Sequence, residues 1–220
     1  KELGIQKADT NAQVVDFADV VFLAVKPQFL EGVLDEIKAS VKENQIFISI
    51  APGKTLQWFA EKLGEKTKVI RTMPNTPAMV GEGMTALCVN DLVTEEETAL
   101  AVKLCNTFGK TEVIPERLMD VVVGVSGSSP AYVFMFLEAM ADAAVADGMP
   151  RAQAYKFAAQ AVLGSAKLML ETGKHPGELK DMVCSPAGTT IQAVRVLEEK
   201  GLRSAVFEAQ TTCVNKAKGM

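Results

Sequence analysis

Asp19-Val-Val-Phe-Leu-Ala-Val-Lys26-Pro27 is a continuous apolar run that stops at Lys-Pro, and its reading decides the fold. A run of this length bounded by turn residues fits a strand buried on both faces within a parallel sheet. Downstream, Leu30, Val33, Leu34, Ile37 and Val41 recur at three- and four-residue steps, the spacing of a helix with one apolar face. Gln45–Ile50 reads as a second buried strand closed by Ala51-Pro52-Gly53, Thr55 caps a helix that runs to Leu63, and Lys68–Arg71 is a third strand. Strands alternating with helices over short connections predict an α/β fold with a doubly wound parallel sheet. Ligands of such sheets bind beyond the carboxyl ends of the strands, here Ala24–Pro27, Ile50–Gly53 and Arg71–Asn75. The glycine fingerprint G-x-G-x-x-G is absent, and the chain opens on Lys1-Glu2-Leu3-Gly4 without a methionine. The expectation is a sheet that is incomplete at its N-terminal side, with the phosphate loop before residue 1.

Working outward, Arg71-Thr-Met-Pro-Asn-Thr-Pro77 continues into Ala78-Met-Val-Gly-Glu-Gly83, a rigid loop by its prolines and glycines. Met84–Val89 and Thr111–Ile114 read as further strands, with a helix from about Thr94 to Phe108 between them. Around Pro115–Leu118 the strand signals stop, which places a dinucleotide-type domain at 1–116 and an all-α domain at 117–220. Ser129 is the expected N-cap of a helix with Pro130 in its first turn. Ala131–Ala146 is apolar nearly all round except at Glu138 and Asp142, and a helix apolar on every face is buried on every face. Pro150–Thr172, 189–200 and 202–217 are further helices. One monomer can hardly cover so much apolar helix surface, so oligomerisation through this half is expected. Between two of these helices lies Ser185-Pro-Ala-Gly-Thr-Thr190, a turn whose hydroxyls and free N–H groups suit an anion.

Composition excludes several classes. Net charge is −4 and no long basic run occurs, which argues against nucleic acid or an anionic membrane as partner. Four cysteines without close spacing and a single histidine make a metal site improbable and fit free thiols in a cytoplasmic enzyme. No unbroken apolar stretch of spanning length stands out. His175, before Pro176, reads as structural, Tyr132 as core packing, and the ten methionines as gap-filling core.

Arg71-Thr-Met-Pro-Asn-Thr-Pro-Ala78, Ser126-Gly-Ser-Ser-Pro-Ala-Tyr132, His175-Pro-Gly-Glu-Leu-Lys-Asp181 and Ser185-Pro-Ala-Gly-Thr-Thr-Ile191 together resemble pyrroline-5-carboxylate reductase, in order and across essentially the whole chain. The resemblance implies a Rossmann domain followed by a helical dimerisation and substrate domain that interlocks with its partner in a homodimer, in some members within a larger ring. It implies reduction of L-1-pyrroline-5-carboxylate to L-proline by NADPH or NADH. By position it assigns cofactor contacts to Asn11, Ala24, Val25, Lys26, Pro27, Ile50, Ala51 and Pro52, with Glu116 a weaker candidate. The substrate carboxylate falls to Gly188 and Thr189, the ring nitrogen to Thr190 as the catalytic residue, and Asp181 is a weaker candidate. Imine reduction asks the protein for orientation and electrostatics while the cofactor supplies hydride, so no triad or metal is needed.

Two positions depart from the family pattern. Ala187 stands where glycine is usual, a steric cost if the backbone there needs positive φ. Pro52 stands where alanine is common and removes a backbone donor. Another imine or hydroxyacid dehydrogenase of the same plan is the enzymatic alternative; an oligomerising module with a nucleotide-sensing remnant is the non-enzymatic one.

Overall fold

The computed structural model describes residues 4–219; Lys1–Leu3, which open the expected first domain, and Met220, which ends the second, lie outside the described residues. The chain divides into two units, one ending at Ser128 and taking in the chain from Cys213 onward, the other Ser129–Thr212.

In the first unit, α1 (Asn11–Phe17) leads to β1 (Val20–Leu23), α2 (Pro27–Ile37), β2 (Ile46–Ser49), α3 (Leu56–Leu63) and β3 (Lys68–Met73). β4 (Gly83–Val89), α4 (Glu95–Cys105) and β5 (Gly109–Val113) follow. The five strands form one sheet in sequence order. Side chains alternate across it. Val21, Leu23, Phe47 and Val69 pack with Val15, Leu30, Leu34, Ile37, Phe59 and Leu63 from α1–α3, whereas Ile46, Ile48, Ile70 and Leu87 pack with Ala101 from α4. β2 is buried at all four positions, as its unbroken apolar run requires.

The sheet is mixed rather than wholly parallel: β1–β3 are parallel, β4 runs antiparallel to β3, and β5 is parallel to β4. The cause is the connection. Residues 74–82 hold one 3₁₀ turn, Thr76–Val80, and a parallel partner needs a crossover of about a dozen residues or more. α4 supplies such a crossover between β4 and β5.

The Pro115 region holds a further difference. A helical stretch starts at Glu116, runs through α5 (Met119–Val122) and a π-bulge at Val123–Gly127, and continues into α6 (Ser129–Ala146). Ser129 is therefore inside this stretch and not its N-cap. The bulge is closed by Ser128 N–H donating to the Val123 carbonyl at 2.8 Å.

The second unit is helical: α6, α7 (Arg151–Thr172), α8 (Pro176–Val183), α9 (Thr189–Glu199) and most of α10 (Leu202–Ala217). The expected burial of α6 on every face does not occur within one chain. Phe134 is 64% exposed and Met135 70%, and Ala141 is the one buried residue of α6 among the described residues. The stretch 116–146 is long and apolar enough, by length and composition, to span a bilayer. The methionines depart from expectation too: Met119 is buried, but Met79 is 90% exposed. All four cysteines are free.

Candidate active site

The carboxyl ends of β1 and β2 are built from local capping. Lys26, extended in φ and ψ, is the N-cap of α2, with Pro27 at its start, where the missing N–H costs nothing. No side chain caps this helix end; Pro27 has no N–H and the Phe29 N–H donates to Lys26 O at 2.9 Å, which leaves the Gln28 N–H open to an acceptor. After β2, the Ile50 N–H donates to Leu23 O at 3.3 Å and the Ala51 N–H to Ser49 Oγ at 3.2 Å. Thr72 Oγ1 in turn donates to Ser49 O at 3.0 Å. Ala51 thus spends its donor inward and Pro52 has none, so this loop offers carbonyls and apolar surface. That suits the face and edge of a nicotinamide ring better than a phosphate, whereas the single open N–H of Gln28 at the α2 start suits an acceptor.

Beneath the loop lies a buried charge. Arg71 of β3 pairs with Glu116, whose Oε1 also accepts the Leu56 N–H at 2.7 Å, the first N–H of α3. Thr55 caps the same helix by accepting the Trp58 N–H at 3.0 Å. Glu116 is therefore an anchor between β3 and the start of α3. Facing Arg71, the Cys88 thiol is pushed up to about 11 by burial, which Arg71 partly opposes.

Asn11 stands apart. Its N–H and Nδ2 donate to Glu36 at 3.2 and 2.7 Å, in the last turn of α2. At 1.5 Å per residue that turn is about 14 Å along the helix from Lys26. Ala24, Val25, Lys26 and Pro27 are brought together with Ile50, Ala51 and Pro52; Asn11 is not.

In the second unit, α8 ends at Cys184 and α9 begins after Gly188, with Ser185–Ala187 as the turn. The Gly188 N–H donates to Ser185 O at 3.0 Å, and a Cβ on Gly188 would lie 2.4 Å from Ser185 Oγ and 3.1 Å from Ser185 O, so a side chain there would force the Ser185 hydroxyl to turn away. Ala187 has φ +59°, the one non-glycine residue at positive φ among the described residues. Gly188 caps α9 without a side chain, and neither Thr189 nor Thr190 has a hydrogen-bonded hydroxyl among the described residues. His175 caps α8 through Nδ1, which accepts the Gly177 N–H at 3.1 Å, a structural task. Asp181 is exposed and paired with its neighbour Lys180.

A three-layer α/β unit with open strand-end loops, joined in one chain to a helical unit with an uncapped hydroxyl-bearing helix start, defines a nicotinamide-dependent oxidoreductase. Known proteins of similar sequence and fold agree. Residues 116–220 match the family model for pyrroline-5-carboxylate reductase dimerisation, and residues 1–53 match that for NADP oxidoreductase coenzyme F420-dependent. The chain is 60% identical over 216 residues to the pyrroline-5-carboxylate reductase of Escherichia coli, covering 98% of this chain and 80% of that protein. A solved pyrroline-5-carboxylate reductase from Coxiella burnetii superposes with TM-score 0.93 at 36% identity, covering 100% of this chain and 82% of that one. The Plasmodium falciparum pyrroline carboxylate reductase, solved with NADP bound, gives 0.89 at 30%, covering 98% and 85%. The chain belongs to the pyrroline-5-carboxylate reductase family.

Proposed function

We infer that the turn Ser185–Thr190 receives the substrate while Ala24–Pro27 and Ile50–Pro52 hold the cofactor. The reaction is that of the family: reduction of L-1-pyrroline-5-carboxylate to L-proline, the last step of proline biosynthesis, by hydride from a nicotinamide cofactor. When bound, the cofactor supplies the hydride; the chain's own residues bind and orient. The observation that carries the reading is the uncapped start of α9, where Gly188 leaves backbone N–H groups open beside the unpaired Thr189 and Thr190 hydroxyls. A carboxylate at a helix N-terminus is favoured by those N–H groups, at roughly 1.5–3 kcal/mol per charge-assisted bond. The Thr190 hydroxyl then holds the ring nitrogen as its charge changes.

A folded Thr190→Ala enzyme should lose at least about tenfold in kcat, about 1.4 kcal/mol of transition-state stabilisation. Steady-state kinetics equal to the parent's would remove Thr190 from the chemistry.

On cofactor choice, NADPH is the preferred donor over NADH. The NADP-bound relative and the NADP-dependent model over residues 1–53 support this, and kcat/KM measured with each cofactor tests it. The working assembly is a homodimer interlocked through the helical unit, or a larger ring of such dimers, in the cytoplasm. Its support is that the family's dimerisation model spans the exposed apolar helices, so a second copy rather than lipid covers the 116–146 stretch. A monomeric mass by light scattering without detergent would refute it.

A further inference from the structure

Asn75 takes no part in the roles assigned so far, yet both halves of its amide are spoken for. Its Oδ1 accepts the Met84 N–H at 2.8 Å and its Nδ2 donates to the Ser126 carbonyl at 3.0 Å. The two partners fix which way the amide faces, since one supplies a proton and the other needs one. Ser126 lies in the π-bulge Val123–Gly127. Four residues on, Pro130 has no N–H, so the ordinary helical donor to that carbonyl does not exist. Asn75 reaches in from the β3–β4 loop and supplies one.

The bulge matters because of what it faces. Val123, with Met119 and Asp120 just before it, faces Ala51, Pro52 and Gly53 across a narrow cleft of about 10 Å³ that Arg71, Thr72 and Met73 also line. Gly127 approaches the end of β3 so closely that a Cβ would sit 2.9 Å from Met73 Cε. A π-bulge shifts the helix register locally and recurs at functional sites. Here it sets where one wall of the cleft stands relative to the 51–53 loop.

We propose that Asn75 is a positioning residue for hydride transfer: by holding the π-bulge through the Ser126 carbonyl, it fixes the helix wall that backs the Ala51–Gly53 loop, and so the loop on which the nicotinamide ring seats. This rests on the reading of Ile50–Pro52 as a cofactor contact. Most cofactor affinity comes from parts of the dinucleotide remote from the ring, so loosening the wall misorients the ring without releasing the cofactor. The expected signature is a slower chemical step at nearly unchanged affinity.

Asn75→Asp keeps the acceptor for Met84 and sets an oxygen against the Ser126 carbonyl; Asn75→Ser removes the long donor without adding charge and serves if the first variant folds poorly. In single-turnover reactions with the intact enzyme, hydride transfer per cofactor-bound subunit should slow about tenfold, with the Kd for NADPH within about threefold of the parent's. A transfer rate equal to the parent's, or a loss that only tracks the fraction of folded protein, overturns the proposal. Ala51→Val tests the underlying reading. If it changes neither Kd nor transfer rate, the cofactor-loop reading falls and takes the proposal with it. If it changes them while the Asn75 variants do not, only the Asn75 proposal falls.

Discussion

The two units use similar apolar sequence to opposite ends. In the first, Phe47, Ile48, Phe59, Leu30 and Val69 are buried by neighbours of the same chain, on both faces of the sheet. In the second, Ala141, Ala154 and Ala158 are the buried residues of α6 and α7, and large side chains stay in water. The loops differ as well. The Ala51–Gly53 loop is tied at Ala51 to Ser49, which Thr72 holds in turn, and the Arg71–Glu116 pair anchors the α3 start that follows it, whereas the Ser185–Gly188 turn closes on one backbone hydrogen bond and a strained alanine. The first unit completes its core within the chain; the second leaves large apolar side chains uncovered within one chain, over the span that matches the family's dimerisation model.

The contrast breaks hardest at the exposed helix. Phe134→Asp puts a carboxylate on a face that association buries, at a cost of several kcal/mol per subunit. Sedimentation should show dissociation with loss of nearly all activity, while the first unit keeps its fold; an intact, active oligomer would mean that α6 faces water in the assembly. Next in size is the first unit's buried charge. Glu116→Ala strands the Arg71 guanidinium beside the Ala51–Gly53 loop and should cost about 3 kcal/mol of unfolding free energy, read from denaturant midpoints. Glu116→Gln, which keeps an acceptor for the Leu56 N–H, should lose less.

A smaller effect belongs to pH. The Cys88 thiol is raised from 9.0 to about 11 in the folded state by burial. The unfolded chain therefore ionises this thiol first. Its contribution to stability is complete below about pH 9 and is lost as pH climbs towards 11, a decline on the order of 2 kcal/mol. A Cys88→Ala variant should show a shallower fall over the same interval, and an identical slope would assign the decline to other groups.

Much of the first unit is legible because its signals are local. Thr55 and Thr94 cap where a helix must begin, and Thr94 with Glu97 forms a full capping box. The apolar run ending at Ser49 is a strand buried at all four positions, whereas the run ending at Leu23 departs from the expected burial on both faces: Val21 and Leu23 are buried but Phe22 is 44% exposed, because β1 is an edge of the sheet. The reversed β4 was written in the length of residues 74–82, which cannot carry a crossover. Pro130 misleads for a physical reason: proline fits a first turn, but it is also tolerated inside a helical stretch where a π-bulge alters the register around the carbonyl four residues back and another group serves that carbonyl. Asn75 is that group, 51 residues distant in sequence, and no periodicity shows it. Nor does periodicity tell a helix covered by its own chain from one covered by a second copy; α6 is exposed within one chain, and it is the total apolar helix surface, not its period, that points to association.

Ala187 offers the smallest effect and the sharpest test of the turn. Its φ of +59° lies in the left-handed region, where an alanine Cβ crowds the following carbonyl by about 1 kcal/mol or somewhat more. Glycine there removes the strain but loosens the unfolded chain, and the two terms oppose each other. The native conformation at this position is one alanine tolerates badly, so strain relief should win and Ala187→Gly should stabilise the second unit by about 0.5–1 kcal/mol. If the strain serves to hold the Gly188–Thr190 N–H groups and hydroxyls in place, the same variant gains stability and loses kcat. If it is only tolerated, stability rises and turnover stays. Thermal unfolding and steady-state kinetics on one protein sample separate the two outcomes, and a variant less stable than the parent would mean that the turn does not hold Ala187 at positive φ.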